Sequence, residues 1–155
     1  MASVIDRKLS NLGISLPIQD KPLANYVPYV LIDGLVFVSG QLPLDVNGIR
    51  YTGQLAIGNG WKIGFKAAHL CAINLLAQLK VACEGDLDKV TKVIKLTGYV
   101  SSSKGFCDHS KVIDGASDLM VDVFGQIGRH ARAAVGTTSL PMNASVEVDG
   151  IFGVS

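Results

Sequence analysis

The sequence predicts an α+β fold in which a single β-sheet carries two helices packed on one of its faces. Segments with the hydrophobic patterns of strands and helices follow one another in the order β-β-α-β-α-β-β, and helices that alternate with strands pack best on one side of a sheet. The 155 residues have the length of one ordinary domain, without internal repeats or a low-complexity linker. We therefore expect one domain over residues 1–155, with a helical extension and connector at residues 1–20.

The N-terminal part predicts a short amphipathic helix and then a β-hairpin. The helix is indicated by one apolar stripe that a glycine ends: Val4, Ile5, Leu9, Leu12 and Gly13. Prolines punctuate the connector that follows it: Pro17, Pro22 and Pro28. Residues 29–32 and 35–39 then flank Asp33-Gly34, and Asp-Gly between β-rich runs is a strong hairpin signal. Asn47-Gly48 indicates another turn, before a loop at residues 49–60.

The rest of the chain predicts two helices and three strands. A long helix over residues 61–83 is indicated by apolar residues three and four apart: Ala68, Cys71, Leu75 and Leu79. A strand over residues 90–100 and a second helix over residues 110–124 follow it. The last two strands cover residues 132–140 and 145–154, and a proline-containing turn separates them.

The strands contain near-continuous apolar runs, such as Val36-Phe37-Val38, which are expected where a sheet is covered on both faces. The helices cover only one face, so the opposite face requires another cover. The apolar fraction of 48% also favours additional buried surface. A further copy of the chain is the simplest cover, and the sequence therefore predicts an oligomer with an apolar face opposite the helices.

Composition argues against nucleic-acid and membrane partners. A net charge of +1 and an aromatic content of 6% provide neither a basic patch nor a stacking platform for bases. No apolar run reaches the roughly 18 residues that a membrane span requires. The N-terminus lacks the basic start and apolar block of a secretory signal, and the cysteines show no CxxC spacing. We expect a cytoplasmic protein, with Cys71 and Cys83 as core thiols of the long helix.

Motifs for common cofactors and metals are absent from the sequence. It contains no GxGxxG after a strand, no phosphate-binding GxxxxGKS/T loop and no HExxH. The histidines His69, His109 and His130 lie far apart and do not have metal-ligand spacing. We therefore expect neither a metal nor an organic cofactor.

Two charged residues stand out because they interrupt strands that are otherwise apolar. Arg132 lies in the run Ala-Arg-Ala-Ala-Val-Gly, and Glu147 lies in Ser-Val-Glu-Val. Charged residues are rarely buried without a partner. They could alternate outward to solvent or pair with each other across adjacent strands. Alternatively, the planar guanidinium of Arg132 could hold a substrate carboxylate by two hydrogen bonds.

Four segments of the sequence resemble the RidA/YjgF family, which also carries the older label endoribonuclease L-PSP. The segments are residues 36–43, 131–135, 140–141 and 146–148, with the sequences VFVSGQLP, ARAAV, LP and VEV. The similarity extends from about residue 25 to residue 154, which is nearly the whole chain after the N-terminal helix. Its signature is an arginine, Leu-Pro and a glutamate, with 147 − 132 = 15 positions between the two charges.

The resemblance implies a chorismate-mutase-like fold, a homotrimer and active sites in clefts between subunits. In family members that deaminate imines, the arginine binds the substrate carboxylate and the glutamate places the attacking water, so these roles pass to Arg132 and Glu147. By position, Tyr26 and Gly40 would line the same cleft. Relatives often have a cysteine at the position of Ala134, and the main chain of that cysteine contacts the ligand. Ala134 would keep this backbone contact without the thiol.

The sequence departs from the family pattern at other positions besides Ala134, and the connection from Phe124 to Arg132 looks shorter than in well-known members. His130 stands where the family usually has proline. A family asparagine that lines the cleft from the second helix has no secure counterpart here, and Asp114, Gly115 or Ser117 could stand near its position.

The resemblance implies hydrolysis of reactive 2-imino or enamine acids, such as 2-aminoacrylate, to 2-keto acids and ammonia. An alternative from another class is a non-catalytic trimer that binds or senses a small carboxylate in the same cleft. The older family label adds a third possibility, an endoribonuclease or translation inhibitor, which gains no support from the charge balance.

Overall fold

A computed structural model of the chain describes residues 3–19 and 25–155. The predicted connector residue Pro22 lies outside the described residues. The N-terminal helix α1 (Val4–Asn11) begins after Ser3, whose hydroxyl accepts a hydrogen bond from the backbone N–H of Asp6. Its apolar side is buried through Ile5 and Leu9, which confirms the predicted helix, whereas Val4 and Leu12 of the predicted stripe are exposed.

The main sheet has five strands, and each of them lies close to a strand predicted from the sequence. In chain order the strands are β1 (Tyr29–Ile32), β2 (Leu35–Gln41), β5 (Val90–Ser101), β6 (Ala131–Thr137) and β7 (Val146–Val154). Their spatial order is β1-β2-β7-β5-β6, so β1 and β6 are the edges. Only β5 and β6 run parallel, because a helix crosses between them; the other neighbouring pairs are antiparallel. The predicted α+β fold is therefore confirmed.

A separate two-stranded hairpin follows β2. Its strands are β3 (Leu44–Asp45) and β4 (Gly48–Ile49), joined by a turn in which the carboxylate of Asp45 accepts from the N–H of Asn47 at 2.7 Å. The sequence predicted the turn here but not the two short strands, since two residues are too few to produce a β-pattern.

The two long helices are α2 (Gly60–Ala82) and α3 (His109–Phe124), and both pack on the same face of the sheet. We call this side the helix face. The helices cross closely at Gly115, where a side chain would collide with the carbonyl of Phe65 on α2. The largest fully buried side chains lie between the helices and the sheet: Leu75, Leu76, Leu79, Leu96, Ile113, Met120 and Phe152. Both predicted helices are confirmed within one residue at each end.

The opposite side of the sheet, which we call the open face, is less apolar than the sequence predicted. Val30 and Phe37 on β1 and β2 are 49% and 41% exposed, and Val135 on the far edge is 46% exposed. Between these edges, however, the open face carries polar side chains of β5 and β7: Thr97, Tyr99, Glu147 and Asp149. The prediction of an apolar face holds for β1 and β2 but is wrong for the centre of the sheet, where alternation places the polar residues outward.

The predicted strand over residues 132–140 is too long at its C-terminal end. β6 ends at Thr137, whose hydroxyl donates to the carbonyl of Ser139 at 3.1 Å and turns the chain away from the sheet. The turn before β7 contains Met142 and Asn143, both with φ near +56°. None of the helices within residues 3–19 and 25–155 combines the length and hydrophobicity that a membrane crossing requires.

Candidate active site

Arg132 lies on the edge strand β6 and is held against α3. Its Nη1 donates to the carboxylate of Asp114 at 2.8 Å and to the hydroxyl of Ser117 at 3.2 Å. Its Nη2 donates to the hydroxyl of Ser110 at 2.6 Å and to the carbonyl of Ser110 at 3.4 Å. The Arg132 side chain retains 21% of its exposure, so the guanidinium lies in a largely shielded position at the sheet edge.

The alternative that Arg132 pairs with Glu147 is wrong, because the structure shows a different partner. The ion pair of Arg132 is with Asp114, at 2.8 Å. Asp114 is 47% exposed, and an ion pair this open to water contributes at most about 1 kcal/mol to stability. Among the described residues, Nε of Arg132 donates no hydrogen bond. The edge of the guanidinium formed by Nε and Nη2 therefore has one unused donor for a ligand oxygen.

His130 lies two residues before Arg132 and contacts the same group of side chains. Its Nδ1 is 2.6 Å from the carbonyl of Gly128, and its Nε2 is 2.8 Å from the hydroxyl of Ser117. Burial lowers the pKa of His130, and the nearby positive charge of Arg132 lowers it further. The ring is therefore neutral at physiological pH.

Glu147 lies on β7 and contacts Gly40 on β2. A bulge between Val38 and Gln41 brings the backbone of Gly40 against the Glu147 carboxylate, so that a side chain at residue 40 would overlap one of its oxygens. The absence of a side chain at Gly40 is what allows the glutamate to lie across the strand. This contact brings two of the predicted site residues together.

The environment of Glu147 raises its pKa. Partial burial is the main cause, and the neighbouring carboxylate of Asp149 on the same face adds to it. Asp149 itself accepts a hydrogen bond from the hydroxyl of Tyr99 at 3.0 Å. Within the described parts of the chain, the Glu147 carboxylate accepts no hydrogen bond. It is a carboxylate with free acceptor sites and increased basicity, as a general base requires.

Arg132 and Glu147 project from opposite faces of the sheet. Arg132 pairs with Leu96 on β5, whose side chain is fully buried on the helix face. Glu147 pairs with Tyr99, three positions further along β5. Side chains alternate along a strand, so positions an odd number apart point to opposite faces. The chain thus carries two separate groups of predicted site residues, which we call half-sites: one around Arg132 on the helix face and one around Glu147 on the open face.

The remaining predicted residues divide between these two half-sites. Ala134 pairs with Gly98 and lies on the helix face of β6, two positions after Arg132. Tyr26 is 57% exposed, in the segment next to β2, where the hydroxyl of Ser39 donates to the carbonyl of Val27 at 2.7 Å. Val27, the residue after Tyr26, is thus bonded to the residue before Gly40, whose backbone lies against Glu147.

The structure distinguishes the three candidates for the position of the family asparagine. Asp114 and Ser117 both bind the guanidinium of Arg132, whereas Gly115 faces α2 at the helix crossing. Ser110 supplies two more acceptors and was not predicted from the sequence. The signal was present, because residues 110, 114 and 117 are four and three positions apart and lie on one side of a helix.

The described residues contain no cluster of three or more His, Cys, Asp or Glu side chains that could hold a metal ion. His109, at the start of α3, is 3.4 Å from the hydroxyl of Ser102 and makes an edge-on contact with Phe106. Cys71 and Cys83 are buried and Cys107 is exposed, which confirms the prediction of core thiols for the first two.

A family model described as "YjgF/chorismate_mutase-like, putative endoribonuclease" matches residues 6–152. Protein TCP17 of Trypanosoma cruzi is 46% identical over 144 residues, which cover 92% of this chain and 89% of that protein. A 2-iminobutanoate/2-iminopropanoate deaminase of Dermatophagoides farinae is 26% identical over 138 residues, covering 89% and 92% of the two chains.

Among solved structures, the protein Atu1372 of Agrobacterium tumefaciens, described as having unknown function, superposes with a TM-score of 0.89. It is 47% identical to this chain, and the match covers 98% of this chain and 93% of the other. The superposition therefore extends over the N-terminal helix as well as the sheet and its two long helices.

Proposed function

The chain belongs to the RidA/YjgF family, and from this membership we propose that it hydrolyses 2-imino acids to 2-keto acids and ammonia. The observation that supports this activity most directly is the chemistry of the two half-sites. One offers a shielded arginine for a carboxylate, and the other offers a basic, unpaired carboxylate for a water molecule. The Dermatophagoides farinae relative carries the name of an imine deaminase, although at 26% identity.

Arg132 would hold the carboxylate of the substrate. A carboxylate that approaches the edge formed by Nε and Nη2 would gain the unused Nε donor and replace the long 3.4 Å contact between Nη2 and the Ser110 carbonyl. Asp114 and Ser117 would keep Nη1 in place, so the guanidinium would not have to reorganise. Fixing the substrate by its carboxylate orients the neighbouring imine carbon, which is where catalysis by positioning has its effect.

Glu147 would act as the general base. Its raised pKa makes it a stronger base than an ordinary glutamate, and its free oxygens can accept the proton of a water molecule. The water oxygen adds to the imine carbon, and the C=N bond becomes a C–N single bond. Return of the proton to nitrogen gives a carbinolamine. Transfer of its hydroxyl proton to nitrogen, again through Glu147, then breaks the C–N bond, releases ammonia and leaves the C=O bond of the keto acid. The balance requires water alone, and no cofactor or metal takes part in the proposed steps.

The two half-sites would form one active site between two subunits of a homotrimer. Within one protomer, Arg132 and Glu147 are separated by β5 and point to opposite faces, so a single small substrate cannot contact both. If the β6 edge of one subunit meets the open face of the next, the two residues can line one cleft. The exposed apolar residues of this open face, Val30 and Phe37, support its burial against another copy.

A coupled assay tests the proposed activity. A pyridoxal-phosphate dehydratase generates 2-aminoacrylate from serine, and semicarbazide competes for the imine that forms from it. If the proposal is correct, adding the purified protein increases keto-acid formation and decreases trapping by semicarbazide. If the partition between keto acid and semicarbazone does not change, the protein does not hydrolyse this class of imine.

A second candidate is a non-catalytic protein that binds a small carboxylate. It is favoured by the observation that Arg132 and its α3 partners are joined by hydrogen bonds within one protomer, whereas Glu147 does not contact this group. Such a binder would use Arg132 and would leave the partition in the coupled assay unchanged. RNA cleavage, which the family description also names, gains no support from the net charge of +1.

A further inference from the structure

We propose that His130 is a positioning residue that acts through Ser117 to hold the guanidinium of Arg132 in the orientation that binds a carboxylate. This inference rests on the proposed function of Arg132 as the carboxylate-binding residue. It adds a residue to the proposed site that does not itself touch the substrate.

The direction of each hydrogen bond in this group follows from the chemistry of its members. The carbonyl of Gly128 can only accept, so Nδ1 of His130, at 2.6 Å, carries a proton and donates it. In the neutral ring Nε2 is then an acceptor, and the Ser117 hydroxyl at 2.8 Å donates to it. The lone pairs of that hydroxyl oxygen remain for Nη1 of Arg132, at 3.2 Å.

His130 therefore fixes the rotation of the Ser117 hydroxyl. Without an acceptor at Nε2, the hydroxyl proton could turn toward other acceptors, including the carboxylate of Asp114 next to Arg132. With the acceptor in place, the oxygen lone pairs point to the guanidinium. The hydrogen bonds therefore run in one direction: Arg132 donates to Ser117, Ser117 donates to His130, and His130 donates to the carbonyl of Gly128. Hydrogen bonds arranged in this way strengthen one another.

The carbonyl of Gly128, the last acceptor in this series, is rigidly placed. Gly128 is buried at the end of the short turn that follows α3, and a side chain there would collide with the backbone carbonyl of Met120. Its carbonyl is thus fixed relative to α3, the helix that also carries Ser117. Arg132 enters β6 only two residues after His130, so the imidazole links the turn, the helix and the strand.

The protonation state of His130 agrees with this arrangement. Burial, together with the positive charges of Arg132 and Lys92, lowers the pKa of the imidazole and favours the neutral ring. A protonated ring would have a proton on Nε2 and could no longer accept from Ser117. It would also place a second positive charge next to Ser117, which already binds the guanidinium of Arg132.

Binding of 2-oxobutanoate, measured by calorimetry, tests the proposal. His130→Phe keeps a ring of similar size but removes both nitrogens, and Ser117→Ala removes the hydroxyl. Each variant should weaken binding about threefold to tenfold, the effect of one net hydrogen bond. The double variant should bind no more weakly than Ser117→Ala alone, because His130 acts only through that hydroxyl. Ser117→Thr, which keeps the hydroxyl, should stay near the parent affinity.

His109→Phe is the matched control. His109 also contacts a serine, Ser102, at 3.4 Å, but it makes no hydrogen bond to Arg132 or its partners among the described residues. The affinity of His109→Phe for 2-oxobutanoate should equal that of the parent. Ser117→Ala replaces a helical serine by the best helix former, so it should fold, and a parent-like affinity in this variant would overturn the proposal even if His130→Phe does not fold.

The ¹⁵N NMR signals of the Arg132 side chain provide a readout that requires no ligand. Rotation of the guanidinium should be slow in the parent and faster in His130→Phe and Ser117→Ala. The inference is overturned if both variants bind 2-oxobutanoate and rotate like the parent, or if their losses of affinity add in the double variant. In either case the proposed function stands, provided that Arg132→Ala abolishes binding. If Arg132→Ala binds as tightly as the parent, the carboxylate role itself is wrong and the inference fails with it.

Discussion

Arg132 pairs with Leu96, a fully buried residue of β5, and therefore points toward the helices rather than toward Glu147. The two charges of the family signature therefore belong to different surfaces of one protomer. Under the proposed function, a single subunit is a well-packed domain that lacks a complete active site. This division between two surfaces also determines which measurements are informative.

The first prediction concerns the guanidinium. Arg132→Ala should reduce kcat/KM for imine hydrolysis by at least about 30-fold, because truncating one partner of a shielded charged pair costs roughly 2–5 kcal/mol. Arg132→Lys should also be poor, since an ammonium group cannot reproduce the planar two-bond contact. Steady-state rates in the coupled assay measure both variants. Parent-like rates for Arg132→Ala would show that the carboxylate binds elsewhere.

The second prediction concerns Glu147 as a base. Glu147→Gln keeps the size of the side chain and should lower turnover about 10²–10⁴-fold, the usual contribution of general acid–base help. Affinity for a 2-keto acid should change much less. In the parent, turnover should fall with decreasing pH through the raised pKa of Glu147, since the base must be ionised. Undiminished turnover in Glu147→Gln would make this residue structural.

The same substitution has a consequence for stability that depends on pH. The folded state raises the pKa of Glu147 above the ordinary value of 4.5, so the ionised carboxylate opposes folding. This penalty is absent below the unfolded pKa and complete above the folded pKa. Thermal melts should therefore show Glu147→Gln at least as stable as the parent at pH 7, with the difference vanishing near pH 4. A Gln variant that melts below the parent at pH 7 would contradict the burial of an unpaired charge.

The third prediction concerns the close contact between strands β2 and β7. Gly40→Ala adds a methyl group where the Glu147 carboxylate lies, so either the glutamate or the bulge must move. Forced overpacking costs roughly 1–3 kcal/mol, and the displaced base should lower turnover as well. Gly48→Ala, at an exposed turn with open space around it, controls for the loss of a glycine in general, although its φ of +101° adds strain of its own. If Gly40→Ala retains full activity, Glu147 does not act as the base in the proposed hydrolysis.

Much of the fold follows from the sequence because the two periodicities differ clearly. The stripe of Ala68, Cys71, Leu75 and Leu79 fits only a helix, and Asp33-Gly34 fits only a tight hairpin. The orientation of Arg132 could not be predicted in the same way. Its neighbours in the strand are Ala, Val and Gly, which fit either face, and a shift of one residue in register reverses every side chain.

The partners of Arg132 depend on tertiary packing rather than on local pattern. Asp114 is 18 positions away, and its approach is set by the close crossing of α2 and α3 at Gly115. The bulge that brings Gly40 to Glu147 was not predicted either, because the predicted strand ended at residue 39, before Gly40. Residue identities could therefore be transferred from the family, whereas the division into two half-sites required the structure.

The fourth prediction concerns assembly. The open face of β1 and β2 leaves Val30 and Phe37 about half exposed, and the proposed cleft requires that a second subunit cover it. Light scattering should give the mass of a trimer at micromolar concentration, and Phe37→Glu should shift the population toward monomers with a loss of activity. A parent protein that is a stable and fully active monomer would remove the shared site from the account.

The most direct test of the central claim is complementation between two inactive variants. Arg132→Ala and Glu147→Gln are each expected to have lost nearly all turnover, because every site lacks one of the two groups. If subunits of the two variants are mixed in equal amounts and refolded together, a site with an intact Arg132 from one subunit and an intact Glu147 from its neighbour forms with probability ½ × ½. The mixture should therefore regain about a quarter of the parent activity. A mixture no more active than the two variants measured separately would contradict an active site shared between subunits.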